Sequence, residues 1–318
     1  MLPFIIFGAS LAALVKASDI FIDIAEKIGK RLGMPHFIVG IVVIGLGTSL
    51  PELASSLTAI AQSTPENTYT TIVTANVIGS NIANILLGVG IASLFRVVKV
   101  SRELIDTDLP FLFASTAIGI LFLMDGVLSR GEGIMLLAMF ILFIAFSLFD
   151  ENLEDEIEEE EKAVKVKRKE SLVKLFSFLA LACGAIIISS DFTIKGLIGI
   201  VDVTGIGKDI ASMVLLALGT SFPEIFVSVM AVRKKKFAMA LGNIFGSNIG
   251  NMLGILGISA VITPLAVSEK SILIGLPFIG VATLFFIFTT MDNRVRKWEG
   301  FMAIGIFLAF FGKLFGVF

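Results

Sequence analysis

Ten stretches of this chain are long, mostly apolar and bounded by charges or by Gly and Pro, at 2–24, 37–61, 71–95, 109–125, 132–149, 172–190, 209–232, 238–262, 271–290 and 298–317. A helix that spans a bilayer takes about 20 predominantly apolar residues, and each window is near that length. Composition agrees: 56% of the 318 residues are hydrophobic and only 16% are charged, far from the balance of a soluble domain. The expected fold class is an all-α polytopic membrane protein with ten transmembrane helices. The first window carries Lys16 and Asp19 and has no small-residue cleavage site behind a short apolar core, so it reads as a retained helix rather than a signal peptide.

Basic residues test the span count independently, because cytoplasmic loops concentrate Lys and Arg. With the N-terminus outside, the cytoplasmic loops hold Lys27, Lys30 and Arg31; Arg96, Lys99 and Arg102; Lys162, Lys165, Lys167, Arg168 and Lys169; Arg233 to Lys236; and Arg294, Arg296 and Lys297. The opposite side holds only Arg130, Lys195, Lys208, Lys270 and Lys313. This asymmetry predicts a cell (plasma) membrane protein with both termini outside. The net charge of −2 points to no nucleic-acid partner, and no obligatory protein partner is evident beyond the surrounding lipid. The single Cys183 excludes an intrachain disulfide and reads as packing. His36 and the pair Tyr69 and Trp298 read as interface residues.

The chain also repeats itself. Gly47-Thr48-Ser49-Leu50-Pro51-Glu52 returns as Gly219-Thr220-Ser221-Phe222-Pro223-Glu224, and Gly79-Ser80-Asn81-Ile82-Ala83-Asn84 returns as Gly246-Ser247-Asn248-Ile249-Gly250-Asn251. Glu224 lies 172 positions after Glu52 and Asn251 lies 167 after Asn84, and the first offset also maps Ser18 and Asp19 onto Ser190 and Asp191. Three domains follow: a first five-helix repeat at 1–149, a charged cytoplasmic linker at 150–171, and a second five-helix repeat at 172–318. Five is odd, so the second copy enters the membrane with the opposite orientation, the inverted repeat with which many secondary transporters build a mid-membrane site. The acidic run Glu158–Glu161 inside the linker reads as solvated chain, with regulatory cation binding as the alternative.

The repeated motifs place polar chemistry at hydrocarbon depth. A lone carboxylate at the centre of a membrane helix costs about 2.5–3.5 kcal/mol on insertion scales. Two such positions, with no Lys or Arg in the surrounding spans, call for protons or a bound cation. Pro51 and Pro223 have no amide hydrogen, so the carbonyls of Gly47 and Gly219 lose their helical donors and are free to face a cation. Thr48 and Ser49 share a helix face with Glu52, as Thr220 and Ser221 do with Glu224, while Asn76, Ser80 and Asn84, and their counterparts Asn243, Ser247 and Asn251, recur every fourth residue. The offered ligands are all oxygens, which suits hard cations such as Ca²⁺ or Na⁺ rather than zinc or copper. Gly242, Gly246, Gly250 and Gly254 form a small-residue stripe for close helix packing. Asp19 and Asp191 read either as polar groups at helix ends or as residues of an ion path.

These paired motifs resemble the two α-repeats of the cation/calcium exchanger superfamily, in its sodium/calcium exchanger branch, over essentially the whole chain. The resemblance implies a ten-helix antiporter that exchanges Ca²⁺ for Na⁺ by alternating access, with no resident cofactor. It also implies a central site on Glu52 and Glu224, with Thr48, Ser49, Thr220 and Ser221 as further ligands, Ser80 and Ser247 at flanking sodium positions, Asn84 and Asn251 beside them, and the backbone oxygens of Gly45 and Ala217. Many members of that family carry an acid where this chain has Asn251, so two carboxylates serve the site here.

Two ionised carboxylates are neutralised by one Ca²⁺ or by two Na⁺, and a third Na⁺ makes the loaded site positive and the cycle electrogenic. The first alternative is H⁺/Ca²⁺ exchange on the same carboxylates. A passive cation channel and an intramembrane enzyme are the others, the latter disfavoured because His36 stands alone near a helix entrance.

Overall fold

The apolar windows coil into helices because a backbone in hydrocarbon has no water to bond and must satisfy its amides within its own segment. The computed structural model describes residues 2–63, 69–102, 104–149, 171–204 and 219–317. Among these residues the helical rods are α1 (Leu2–Leu32), α2 (His36–Gln62), α3 (Thr70–Phe95), α4 (Leu109–Leu123), α5 (Arg130–Phe149), α6 (Leu172–Thr204), α7 (Phe222–Arg233), α8 (Phe237–Ile262), α9 (Ser271–Thr290) and α10 (Lys297–Leu314). Seven of them, α1, α2, α3, α5, α6, α8 and α9, are long and apolar enough to cross a membrane. The expected linker, Ser171 excepted, and the start of the expected span at 209–232 lie outside the described residues.

Several helices are not regular throughout. Wider π turns occupy Val39–Gly45 in α2, Asn84–Val89 in α3 and Gly250–Ile255 in α8, and two more, Leu104–Asp108 and Ser271–Gly275, lie 167 residues apart at the starts of matching rods. Such bulges rotate the residues that follow relative to a straight helix and collect at functional sites. Apolar periodicity did not reveal them.

The otherwise all-α fold carries two very short strand pairs, also absent from the sequence expectation. They join β1 (Val98–Lys99) to β4 (Arg294–Val295) and β2 (Val127–Leu128) to β3 (Leu265–Ala266). Val98 faces Val295 and Leu128 faces Leu265, so the 167-residue offset turns one ladder into the other. The same exchange relates the bond from the Val100 amide to the Asn293 carbonyl, 2.9 Å, to that from the Val267 amide to the Gly126 carbonyl, 2.8 Å. Gly126 and Asn293 both take positive φ, 93° and 58°. Thr283 donates its hydroxyl to its own counterpart, Thr116, at 3.4 Å. A residue that touches its own equivalent lies at an internal two-fold relation between the halves.

The motif helices form the centre. α3 and α8 are buried over 83% and 89% of their apolar windows, against 22% for α5 and α6, which leaves the latter two facing lipid. α8 runs along the first part of α2, and α7 along the second part of α3, so each acidic-motif helix lies against the Asn-motif helix of the other half. The glycine stripe permits this approach: a Cβ on Gly242 would stand 2.3 Å from the Phe37 carbonyl oxygen, and one on Gly246 2.7 Å from that of Ile41. Outside this core, α1 packs extensively on α6 and also on α7.

Candidate functional site

The two Pro-Glu motifs start a helix at the same place. Ser49 leaves helical geometry at φ −84°, ψ 4°, and a new helix starts at Leu50 with Pro51 in its first turn. Within that new helix the missing proline amide costs no bond, while the Gly47 carbonyl four residues earlier is left without the donor that a continuous helix would give it. Ser221, at φ −83°, ψ −8°, starts the helix of Pro223 in the same way. Glu52 and Glu224 therefore occupy first turns, where unpaired amides and the helix dipole favour negative charge.

Cross-half contacts gather the motif residues. Ser49 donates to Glu224 Oε1 at 3.2 Å, which ties the broken turn of one half to the carboxyl of the other. Thr48 donates to Asn243 Oδ1 at 3.3 Å, and Thr220 to Asn76 Oδ1 at 3.2 Å, an exchanged pair of bonds. Ser80 lies 3.3 Å from the Thr220 hydroxyl, and Ser247 donates to the Gly45 carbonyl at 3.3 Å. The Asn251 amide donates to Asn81 Oδ1 at 3.1 Å.

The decisive feature is the set of oxygens left over. Glu52 is 0% and Glu224 1% exposed, so bulk water reaches neither carboxyl in this conformation. Both oxygens of Glu52, Glu224 Oε2, Ser221 Oγ, Asn84 Oδ1 and Asn251 Oδ1 are buried without a hydrogen-bond partner. One buried polar atom without a partner costs about 1–3 kcal/mol, and more when charged. A concentration of unpaired acceptors in one pair of motifs is chemically suited to a dehydrated hard cation. Among the described residues no three His, Cys, Asp or Glu side chains gather into a metal-holding group, so a cation held here relies on two carboxylates and neutral oxygens.

Some expected ligands are engaged otherwise. The Gly45 carbonyl accepts from the Ser49 amide at 3.1 Å as well as from the Thr48 and Ser247 hydroxyls, each at 3.3 Å. Ala217 lies outside the described residues. The carbonyls released by the prolines are not bare: Cys183 Sγ donates to Gly47 at 3.5 Å and Ser190 Oγ to Gly219 at 3.2 Å, which corrects the expectation that they stand free. Cys183 is thus more than packing. Asn81, which also donates to the Asn248 carbonyl at 3.0 Å, links α3 to α8 and was overlooked. Its place in the repeated Gly-Ser-Asn element was the available signal.

Asp19 and Asp191 stay apart from this cluster. Asp191 pairs with Lys195 one turn along at 2.6 Å. Asp19 joins a charged seam in which Lys234 reaches it at 2.9 Å and Asp23 at 2.6 Å, while Lys236 reaches Asp23 at 3.2 Å and also Glu26. Burial works against the Lys234 ammonium, but the two aspartates outweigh it and push its pKa above the usual lysine value. The seam fastens the end of α1 to the turn between α7 and α8.

Comparison with known proteins was made against this geometry. A family model described as "Sodium/calcium exchanger protein" matches residues 2–149 and 174–315. The sodium/calcium exchanger MaX1 of Methanosarcina acetivorans is 31% identical over 98% of this chain and 98% of its own length. The putative antiporter CaxA of Alkalimonas amylolytica is 31% identical over 82% of this chain and 80% of its own. In three dimensions the chain superposes on the sodium-calcium exchanger NCX_Mj with a TM-score of 0.79 at 23% identity, covering 97% of both chains, which is a likeness of fold.

Proposed function

This chain belongs to the sodium/calcium exchanger protein family, and we propose that it is a secondary antiporter exchanging Ca²⁺ for Na⁺ at a site built on Glu52 and Glu224. The observation that carries this reading is the group of buried, unpartnered oxygens on those two residues, Ser221, Asn84 and Asn251. Calcium takes six to eight oxygen ligands at about 2.3–2.6 Å in flexible geometry, and this cluster offers charged and neutral oxygens of the right kind. Thr48, Ser49, Thr220, Ser80, Ser247 and the carbonyls of Gly45 and Ala217 complete the ligand set. Hydroxyls that now bond to the Gly45 carbonyl rotate toward the ion when it enters.

Exchange follows from charge. One Ca²⁺ neutralises two carboxylates, and so do two Na⁺, so the two ions compete for overlapping oxygens. The empty site carries two buried negative charges and is costly to carry through lipid, so the loaded states are the ones that change sides. A third Na⁺ leaves one net charge per cycle, worth about 2.3 kcal/mol per 100 mV. The exchange of ladders by the 167-residue offset supports two units, 1–149 and 172–318 joined by 150–171, whose relative rearrangement alternates access. The distribution of basic residues supports a topology in which the α7–α8 turn is cytoplasmic and both termini lie outside the plasma membrane.

The test is flux. Purified protein in proteoliposomes takes up radiolabelled Ca²⁺ when loaded with Na⁺ at fixed pH, and an opposing Na⁺ gradient reverses the flow. Uptake under a pH gradient but none under a Na⁺ gradient transfers the same carboxylates to proton exchange.

A further inference from the structure

The two carbonyls released by the motif prolines are capped by the same helix, although the repeat predicts otherwise. In the second half, Ser190 of α6 bonds to Gly219 at 3.2 Å. Its counterpart in the first half is Ser18 of α1, 172 positions earlier, which by the repeat should bond to Gly47. It does not. The Ser18 side chain is fully buried at 0% exposure and its hydroxyl has no partner. The Gly47 carbonyl instead takes the thiol of Cys183 from α6, at 3.5 Å. The position equivalent to Cys183 in α1 is Leu11, which has no donor to offer.

The helix that carries Ser18 nevertheless packs beside the Gly47 turn. Phe21, one turn further along the same face of α1, is the side chain that a Cβ on Gly47 would meet first, at 3.8 Å. A buried hydroxyl without a partner is costly, and a thiol is a weak donor that a hydroxyl outcompetes when both can reach. Two packings are therefore open to the turn, distinguished by whether α1 or α6 holds it.

We propose that Ser18 and Cys183 are alternative donors to the Gly47 carbonyl, Cys183 in the conformation described here and Ser18 in the oppositely facing one, so that they position the Pro51 turn in successive halves of the transport cycle. In the swapped arrangement the first half takes the present form of the second: Ser18 bonds to Gly47 as Ser190 now bonds to Gly219, and Ser190 is left as Ser18 is now. The two residues act through the turn that carries Thr48, Ser49 and Glu52 and touch no ion themselves. The inference rests on the exchange reading above.

The experiment uses the full chain in proteoliposomes, with Ca²⁺ binding measured by calorimetry alongside. Ser18→Ala removes the donor of one conformation only. Turnover falls about three- to tenfold, the equivalent of one net hydrogen bond, while Ca²⁺ affinity stays within about twofold because the conformation described here never used that bond. Ser18→Thr restores turnover. Cys183 is the single thiol, so its reaction with N-ethylmaleimide reports how often it lets go of Gly47. Ser18→Ala slows that labelling several-fold. Cys183→Ser strengthens the competing bond and lowers turnover by a similar factor, which gives a second arm should Ser18→Ala fail to fold. Wild-type turnover in Ser18→Ala and Cys183→Ser, or labelling unchanged by Ser18→Ala, overturns the proposal. A wild-type protein that neither binds nor moves Ca²⁺ overturns the site reading instead, and this proposal with it.

Discussion

At the scale of single residues, the candidate site is distinguished by acceptors without donors. Ordinary cores pair their buried oxygens, so the unpartnered atoms of Glu52, Glu224, Asn84 and Asn251 set this cluster apart from packing polarity. Glu52→Gln and Glu224→Gln each keep shape while removing one charge. Each is expected to lower Na⁺-driven Ca²⁺ uptake by at least about 10-fold, since an interaction with a charged group contributes about 1.5–3 kcal/mol. Unaltered melting in detergent would show that folding is preserved, and wild-type flux in either variant would contradict the assignment. Asn251→Asp puts a third carboxyl where the Asn251 Oδ1 now stands unpaired and removes the amide that donates to Asn81. It should change the Ca²⁺-to-Na⁺ preference or make flux depend on pH, as competition assays across a pH series would register. The motifs made most of this cluster legible in the sequence. Cys183 and Asn81 were not legible as contacts, because a side chain reaching another helix leaves no trace in local periodicity.

At the scale of elements, the broken helices and the close-packed pair decide the geometry. Ser49 marks where α2 leaves helical geometry, and Ser221 precedes the start of α7, which puts both glutamates at the positive start of a helix. The α2–α8 contact holds one broken turn against the other half's asparagines. A methyl at Gly246 would meet the Ile41 carbonyl at 2.7 Å, and that atom is backbone and cannot swing aside. Gly246→Ala is therefore expected to cost at least about 1–3 kcal/mol of stability, the range for overpacking a filled core. Thermal unfolding in detergent measures it. Gly305→Ala on α10, where an added Cβ meets nothing within 4 Å, serves as the control and should melt like wild type.

At the scale of the whole molecule, the charged seam between α1 and the α7–α8 turn links the outer helix pair to the core at one end. The sign of its pH response follows from Lys234, whose pKa is raised above 10.5 in the folded protein. A raised lysine contributes stability that is complete below the unfolded pKa and disappears as pH climbs through the folded one. On the alkaline side the seam thus holds through neutral pH and weakens as pH climbs past about 9 toward and beyond the ordinary lysine value of about 10.4. Melting temperature should stay level from neutral pH to about 9 and fall beyond it. In Lys234→Met the part of that fall due to Lys234 should be missing, with a lower starting value. A melting profile identical in wild type and variant would mean that the seam does not fasten α1.

Hydropathy and repetition by themselves determined that the chain is a predominantly helical membrane protein and that its halves are related, and they singled out two glutamates with their Thr, Ser and Asn neighbours as the candidate site. These are properties of what a residue is and how often it recurs, and lipid enforces them locally, because each helix must satisfy its own backbone. The tertiary structure alone decided which oxygens remain unpaired, where π turns interrupt the motif helices, and that α6 rather than α1 holds the carbonyl of Gly47. Those outcomes depend on which of several competing donors lies nearest once the helices have packed, a choice made by contacts between segments far apart in the chain.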